Sequence, residues 1–285
     1  MRTVSQSLRE YARGVAGGLL FSLPLLYTME VWWAGFVAHP WRLALYVAGT
    51  FLLLLGYNYY AGLRRDSGFS EVAIDSVEEL GIGLLVAALV LWLLGQLTSE
   101  MPASEFVGKT VVEAMTVAIG VSVGTSQLGG GESDEEDKGV GEEGGGDEEA
   151  GGIHFGGQVV VALCGAVLFA ANVAPTEEIV LIAAGMSAWR LLGLAAFSLG
   201  IGALILYYSE FTGSERHVQF DRRHDVLVGT VVTYAVALAA SALILGFFGR
   251  FDGAGLFTCL AQTVVLGVAA TLGASAGRLL LQGAE

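Results

Sequence analysis

Cysteine and proline are scarce in this chain of 285 residues, with two of the former and four of the latter. Cys164 and Cys259 lie in apolar stretches and form no CxxC or Cys/His spacing, which excludes a disulfide framework and a cysteine-based metal site. Both read as small buried apolar side chains. The four histidines are scattered, so no cofactor or metal is expected. Lysine is almost missing as well: Lys109 and Lys138 stand against twelve arginines. Charged residues make up only 15% of the chain, and its formal charge of −14 leaves nucleic acid off the list of expected partners. Arginine in place of lysine, together with an acidic excess, fits a salt-adapted (halophilic) prokaryote. The dyad alternation of barrel strands is also absent.

What is present is apolar. Hydrophobic residues make up 54% of the chain and the mean hydropathy is +0.65, too apolar for the surface a soluble domain needs. They fall into eight blocks, about 14–36, 40–62, 75–97, 106–128, 155–183, 189–209, 225–248 and 257–280. Each is near or above the roughly 18–20 residues that span a bilayer as a helix. Without barrel patterning, helices are the form in which lipid-embedded backbone groups can be satisfied, so an all-α transmembrane bundle of eight spans is expected. Although Arg9 and Arg13 precede the first block, it is not read as a signal peptide, because it has a partner later in the chain.

Loop charge sets the expected orientation. With the N-terminus in the cytoplasm, Arg2, Arg9, Arg13, Arg64, Arg65, Lys138, Arg216, Arg222, Arg223 and Arg278 lie inside, and only Arg42, Lys109, Arg190 and Arg250 lie near the outer side. Both termini are then cytoplasmic, in the plasma membrane of a prokaryote. Trp32, Trp33, Trp41, Trp92 and Trp189 mark the outer interface, and Tyr57, Tyr59, Tyr60, Tyr207 and Tyr208 the inner one.

Two halves of the chain resemble each other. Leu19-Leu20-Phe21 and Thr28-Met29-Glu30-Val31 match Val167-Leu168-Phe169 and Thr176-Glu177-Glu178-Ile179 at an offset of 148, which also carries Trp41-Arg42-Leu43 onto Trp189-Arg190-Leu191. At an offset of 153, Gly120-Val-Ser122-Val-Gly124 falls on Gly273-Ala-Ser275-Ala-Gly277. The third helices do not align. Two tandem four-helix repeats are expected, 1–128 and 154–285. Four being even, they share one orientation about an axis along the membrane normal. Between them, 129–153 is rich in Gly, Glu and Asp, with ten acidic residues against Lys138 alone, and reads as a disordered cytoplasmic linker.

The segment Asn172-Val-Ala-Pro175-Thr176-Glu177-Glu178 carries the most information. Pro175 removes a backbone donor and breaks a helix, Thr176 is a natural cap for a restart, and two carboxylates follow in the first turn. In the first half Glu30 occupies the position of Glu178 and Pro24 that of Asn172. Two readings fit. The carboxylates build an intramembrane cation or proton site, or they start a short outer helix in water. Glu113 and Lys109 lie four apart in the fourth block. They either join Glu30 and Glu178 in one cluster or neutralise each other. Ser76-Val-Glu-Glu79 reads as a capping box opening the third block rather than as a cytoplasmic cation gate. The two GxSxG copies lie inside apolar segments, so Gly120, Gly124, Gly273 and Gly277 are expected to pack helices, not to frame a hydrolase serine.

The Asn172–Glu178 signature and the GxSxG-bearing fourth helix resemble a family of uncharacterised prokaryotic multi-pass integral membrane proteins. The resemblance covers the chain apart from the linker and implies the fold but no activity. The expected function is cation or proton transport through a site built from Glu30, Glu178, Glu113, Asn172, Glu177 and Lys109. The alternative is a non-transporting module, lipid- or partner-binding and stress-related, whose carboxylates are structural. No enzymatic activity is expected, the lipid bilayer is the expected surrounding, and a homo-oligomer stays open.

Overall fold

The structure, a computed structural model, describes residues 4–62, 68–127, 155–213 and 222–282, and among these it is all helical. The expected linker, Arg2, Arg64, Arg65, Lys138 and Arg216 lie outside the described residues. Ten helices follow in order: α1 (Val4–Leu26), α2 (Met29–Val37), α3 (Pro40–Ala61), α4 (Phe69–Leu93), α5 (Ala103–Gln127), α6 (Phe155–Ala171), α7 (Glu177–Ala184), α8 (Ala188–Gly213), α9 (Arg222–Phe247) and α10 (Leu256–Gln282).

Among the described residues, six unbroken helices are long and apolar enough to cross a membrane: α3, α4, α5, α8, α9 and α10. The other two expected spans are not continuous rods. Residues 14–36 divide into α1 and α2, bent 86° apart, which make a seventh candidate if counted as one. Residues 155–183 divide into the 17-residue α6, a turn, and the short α7. Proline accounts for the first break. Pro24 has no N–H and its ring crowds the preceding turn, so α1 ends two residues later. The freed carbonyls find side chains: Thr28 Oγ1 donates to Pro24 O at 2.6 Å and Trp32 Nε1 to Leu26 O at 3.2 Å.

The third block begins earlier than expected. α4 starts at Phe69 with Gly68 as its cap, so Ser76 and Glu79 sit inside the helix and the capping-box reading fails. The buried face of α4 runs Val72, Ser76, Glu79, Gly83, Ala87, Leu91, a helical period of three and four that continues through the polar pair.

α5 is buried almost all round and packs against α1, α2, α3 and α4. α10 packs against α6, α7, α8 and α9. Glycine permits the closest of these approaches. Gly17 of α1 lies against Gly120 and Gly124 of α5, and a Cβ on Gly17 would stand 2.7 Å from Gly120 O. Gly165 of α6 meets Gly273 and Gly277 of α10 in the same way. The GxSxG glycines therefore pack helices, as their spacing suggests. The halves meet chiefly through α3 against α6, and α3 also reaches the end of α9, with Tyr46 stacked on Phe247 at 4.1 Å and Arg42 paired with Asp252 at 3.0 Å. Large apolar side chains cover mid-helix exteriors, among them Leu85 and Leu243, 73% and 71% exposed, as expected of faces turned to lipid.

Candidate functional site

The structure distributes the expected site residues over three places. The first is a cleft of about 560 Å³ where α2, the α6–α7 turn and the end of α9 converge. Glu30 and Glu177 line it with Trp33, Pro175, Phe248 and Arg250. Glu30 is half-buried, while Glu177 and Glu178 are exposed. All three occupy first turns of short helices, where a carboxylate complements the N-terminal dipole. Arg250 donates to the Pro175 carbonyl and so holds the α6–α7 turn. Thr176 stands at the cap position of α7, but its hydroxyl donates to Val173 O at 2.9 Å, not into α7.

Asn172 does not face this cleft with free polar atoms. Its Oδ1 accepts from Leu25 N at 3.0 Å, and its Nδ2 donates to Phe21 O at 3.1 Å and to Leu168 O. In an unbroken helix Leu25 N would donate to Phe21 O. The Asn172 carboxamide therefore bridges these two backbone groups, next to the 24-to-20 bond that Pro24 cannot make.

The second place is Glu113, fully buried in α5, with no hydrogen-bond partner for either oxygen. Lys109 does not pair with it. Lys109 Nζ lies 2.7 Å from Glu105 at the start of the helix. Leu25, Val31 and Val112 form an apolar cluster with Phe247 and Phe248, and Phe248 also lines the cleft, whereas Glu113 does not. Glu30 lines the cleft, Glu178 is exposed and Glu113 is fully buried without a bonded partner, so no bond joins the three carboxylates of the expected cluster.

The third place was missed by sequence reasoning. Asn58 of α3 donates through Nδ2 to Glu79 Oε2 at 2.7 Å and to Ser76 Oγ at 3.1 Å, and its Oδ1 accepts from Ser122 Oγ at 3.0 Å. All four residues are buried. The signal was the period of α4, which puts Ser76 and Glu79 on one stripe with Gly83 and Ala87. Ser122, read only as part of a packing motif, also joins α5 to this network, about 13 Å along the helix from Glu113 at 1.5 Å per residue.

The family described as "Putative integral membrane protein (DUF2391)" matches residues 10–281. The chain belongs to this family. It is an integral membrane protein with several apolar helices, as the fold requires. No curated protein and no solved structure matches it.

Proposed function

We propose that this family member moves cations or protons across a prokaryotic plasma membrane. In this reading it has eight spans in two same-orientation four-helix units joined by a cytoplasmic acidic linker, two of the spans being broken. Several features support the architecture. Helix order and packing partners recur in the two halves, and Gly17 and Gly165, 148 residues apart, make equivalent contacts with glycines 153 residues apart. Orientation rests on the arginine distribution. A cysteine placed at Gly144, in a Cys259→Ser background, is expected to react with a membrane-impermeant maleimide in inverted vesicles and not in intact cells. Labelling of intact cells would reverse the topology.

The observation that carries transport is Glu113. A charged group within a span costs about 2.5–3.5 kcal/mol on insertion scales. This one lies in the most buried helix without a bonded partner. The cleft of Glu30 and Glu177 supplies an acidic mouth on the outer side. Flux into reconstituted vesicles tests the reading. Glu113→Gln is expected to slow it at least about tenfold, a barrier of roughly 1.4 kcal/mol. Exposed Glu178 serves as a control, Glu178→Gln being expected to behave as wild type. Wild-type protein that moves neither protons nor alkali cations would favour the non-transporting module, a reading to which the fully bonded Asn58–Glu79 network also lends itself.

A further inference from the structure

The elements around Glu113 offer it no positive charge. α1 has no ionisable side chain after Arg13, α4 none after Glu79, and α6 only Cys164. α2 carries one acid, Glu30, and no base. On α3, Arg42 is bound to Asp252, and the ionisable side chain that faces Glu113 is Tyr46. On α5 itself, Lys109 is held by Glu105. A carboxylate in these surroundings has neither a counter-ion nor a donor, the most expensive state for a buried charge.

Space decides what can neutralise it. α1 and α5 run antiparallel in close contact, with Gly18 against Val117 and Val121. Gly35 of α2 lies against the backbone of Gly108 and Lys109. Helices at this spacing have no room for a hydrated ion beside the carboxylate. Dehydrated alkali cations need a shell of converging oxygens, and no polar group is hydrogen-bonded to either oxygen of Glu113. A proton needs neither room nor a shell.

The nearby hydroxyls suit that occupant. Tyr46 brings its hydroxyl beside Thr116 and within electrostatic reach of Glu113. Ser22, Thr110 and Thr116 are buried, and their hydroxyls lack well-formed hydrogen bonds. None of these hydroxyls is hydrogen-bonded to Glu113, so a charge there is uncompensated, whereas a neutral carboxylic acid needs no counter-ion. The Tyr46 ring also stacks on Phe247, which backs the Leu25–Val31–Val112 cluster.

We infer that Glu113 is a proton-binding station, a neutral carboxylic acid fully buried in the packing of α5 against its neighbours. Binding forms one O–H bond on a carboxylate oxygen with a proton delivered by water, and release breaks it. No redox partner is involved. The station makes the proton the ion of the transport reading, and its role in flux rests on that reading.

The test is infrared spectroscopy of the full-length protein in lipid at neutral pH, with glutamate labelled at its side-chain carbonyl carbon. A carbonyl band of a protonated carboxyl is expected. It should shift with the label, move to lower frequency in heavy water, vanish in Glu113→Gln, return displaced in Glu113→Asp, and survive Glu30→Gln. Adding sodium or potassium chloride should leave it unchanged. If Glu113→Gln fails to fold, the Glu113→Asp displacement makes the assignment. A missing band, or one that persists in Glu113→Asp without displacement, overturns the proton station, as does a band abolished by sodium, which would mark a cation site. Vesicle flux separates the two claims. A band without any proton or cation flux sinks transport and leaves the station, whereas flux without a band sinks the station and leaves transport to another ion.

Discussion

Gly17→Val and Gly165→Val are each expected to prevent accumulation of folded protein, while Gly49→Val is expected to be tolerated. A Cβ on Gly17 would meet Gly124 Cα and, at 2.7 Å, Gly120 O. One on Gly165 would meet Gly273 O, with Gly277 Cα at 3.3 Å. These neighbours are backbone atoms of the two most central helices and cannot turn away as a side chain can. Overpacking a core costs about 1–3 kcal/mol where side chains can adjust. Here α1 must lift off α5, or α6 off α10, so the cost belongs at about 3 kcal/mol or beyond. In lipid the loss is not recovered by other means, because close van der Waals contact is itself the main force between helices. A Cβ on Gly49 would meet nothing within 4 Å, so that position reports on the substitution alone. The readout is the monodisperse peak in detergent and its thermal midpoint. Normal yield and midpoint for Gly17→Val would refute the close-contact account of α1 and α5.

The second large effect concerns Asn172. Asn172→Leu is expected to destabilise the protein by about 2–6 kcal/mol, because Leu25 N–H and Phe21 C=O each lose a partner in an apolar interior at about 1–3 kcal/mol apiece. Asn172→Asp keeps the acceptor for Leu25 and loses both donors, so it should fall between. The diagnostic variant is Pro24→Ala combined with Asn172→Leu. With alanine at position 24, α1 can close the Leu25-to-Phe21 bond itself, and the cost of Asn172→Leu should fall by half or more. Double-mutant cycles on thermal unfolding measure this coupling. Additive effects would mean that the carboxamide is not repairing the proline break.

Much of the fold was legible because bilayer thickness and backbone satisfaction leave few options for long apolar blocks. Each expected block corresponds to a helix or a helix pair, and the GxSxG glycines pack helices as their spacing implied. The broken spans were harder. Pro175 announced one, but Pro24 was noted only as the counterpart of Asn172, and nothing local to either residue reveals that one completes the other. The site was least legible, since depth along a helix does not say whether a carboxylate opens on a cleft or is buried. Glu30 and Glu113 are comparable in depth from the sequence, yet one lines an open cleft and the other is fully buried. Lys109 has an acid four residues away in each direction, and the better choice could have been made. Glutamate placed N-terminal to lysine is the favoured order, and Glu105 lies nearer the helix end, where a lysine can reach water. Asn58 and Glu79 needed only the helical period of α4, extended N-terminally past the assumed start.

The Asn172 carboxamide also has a meaning in time. α1 is made well before α6, and the group that bonds its backbone lies 147 residues behind Leu25. Until α6 arrives, Leu25 N–H and Phe21 C=O lack the carboxamide that bonds them in the folded protein. The nascent first half is therefore an unfinished object by construction, a client for whatever shelters polar backbone during insertion. The same contact makes the docking of the halves a discrete event, in which one side chain of the later half locks a helix made long before it.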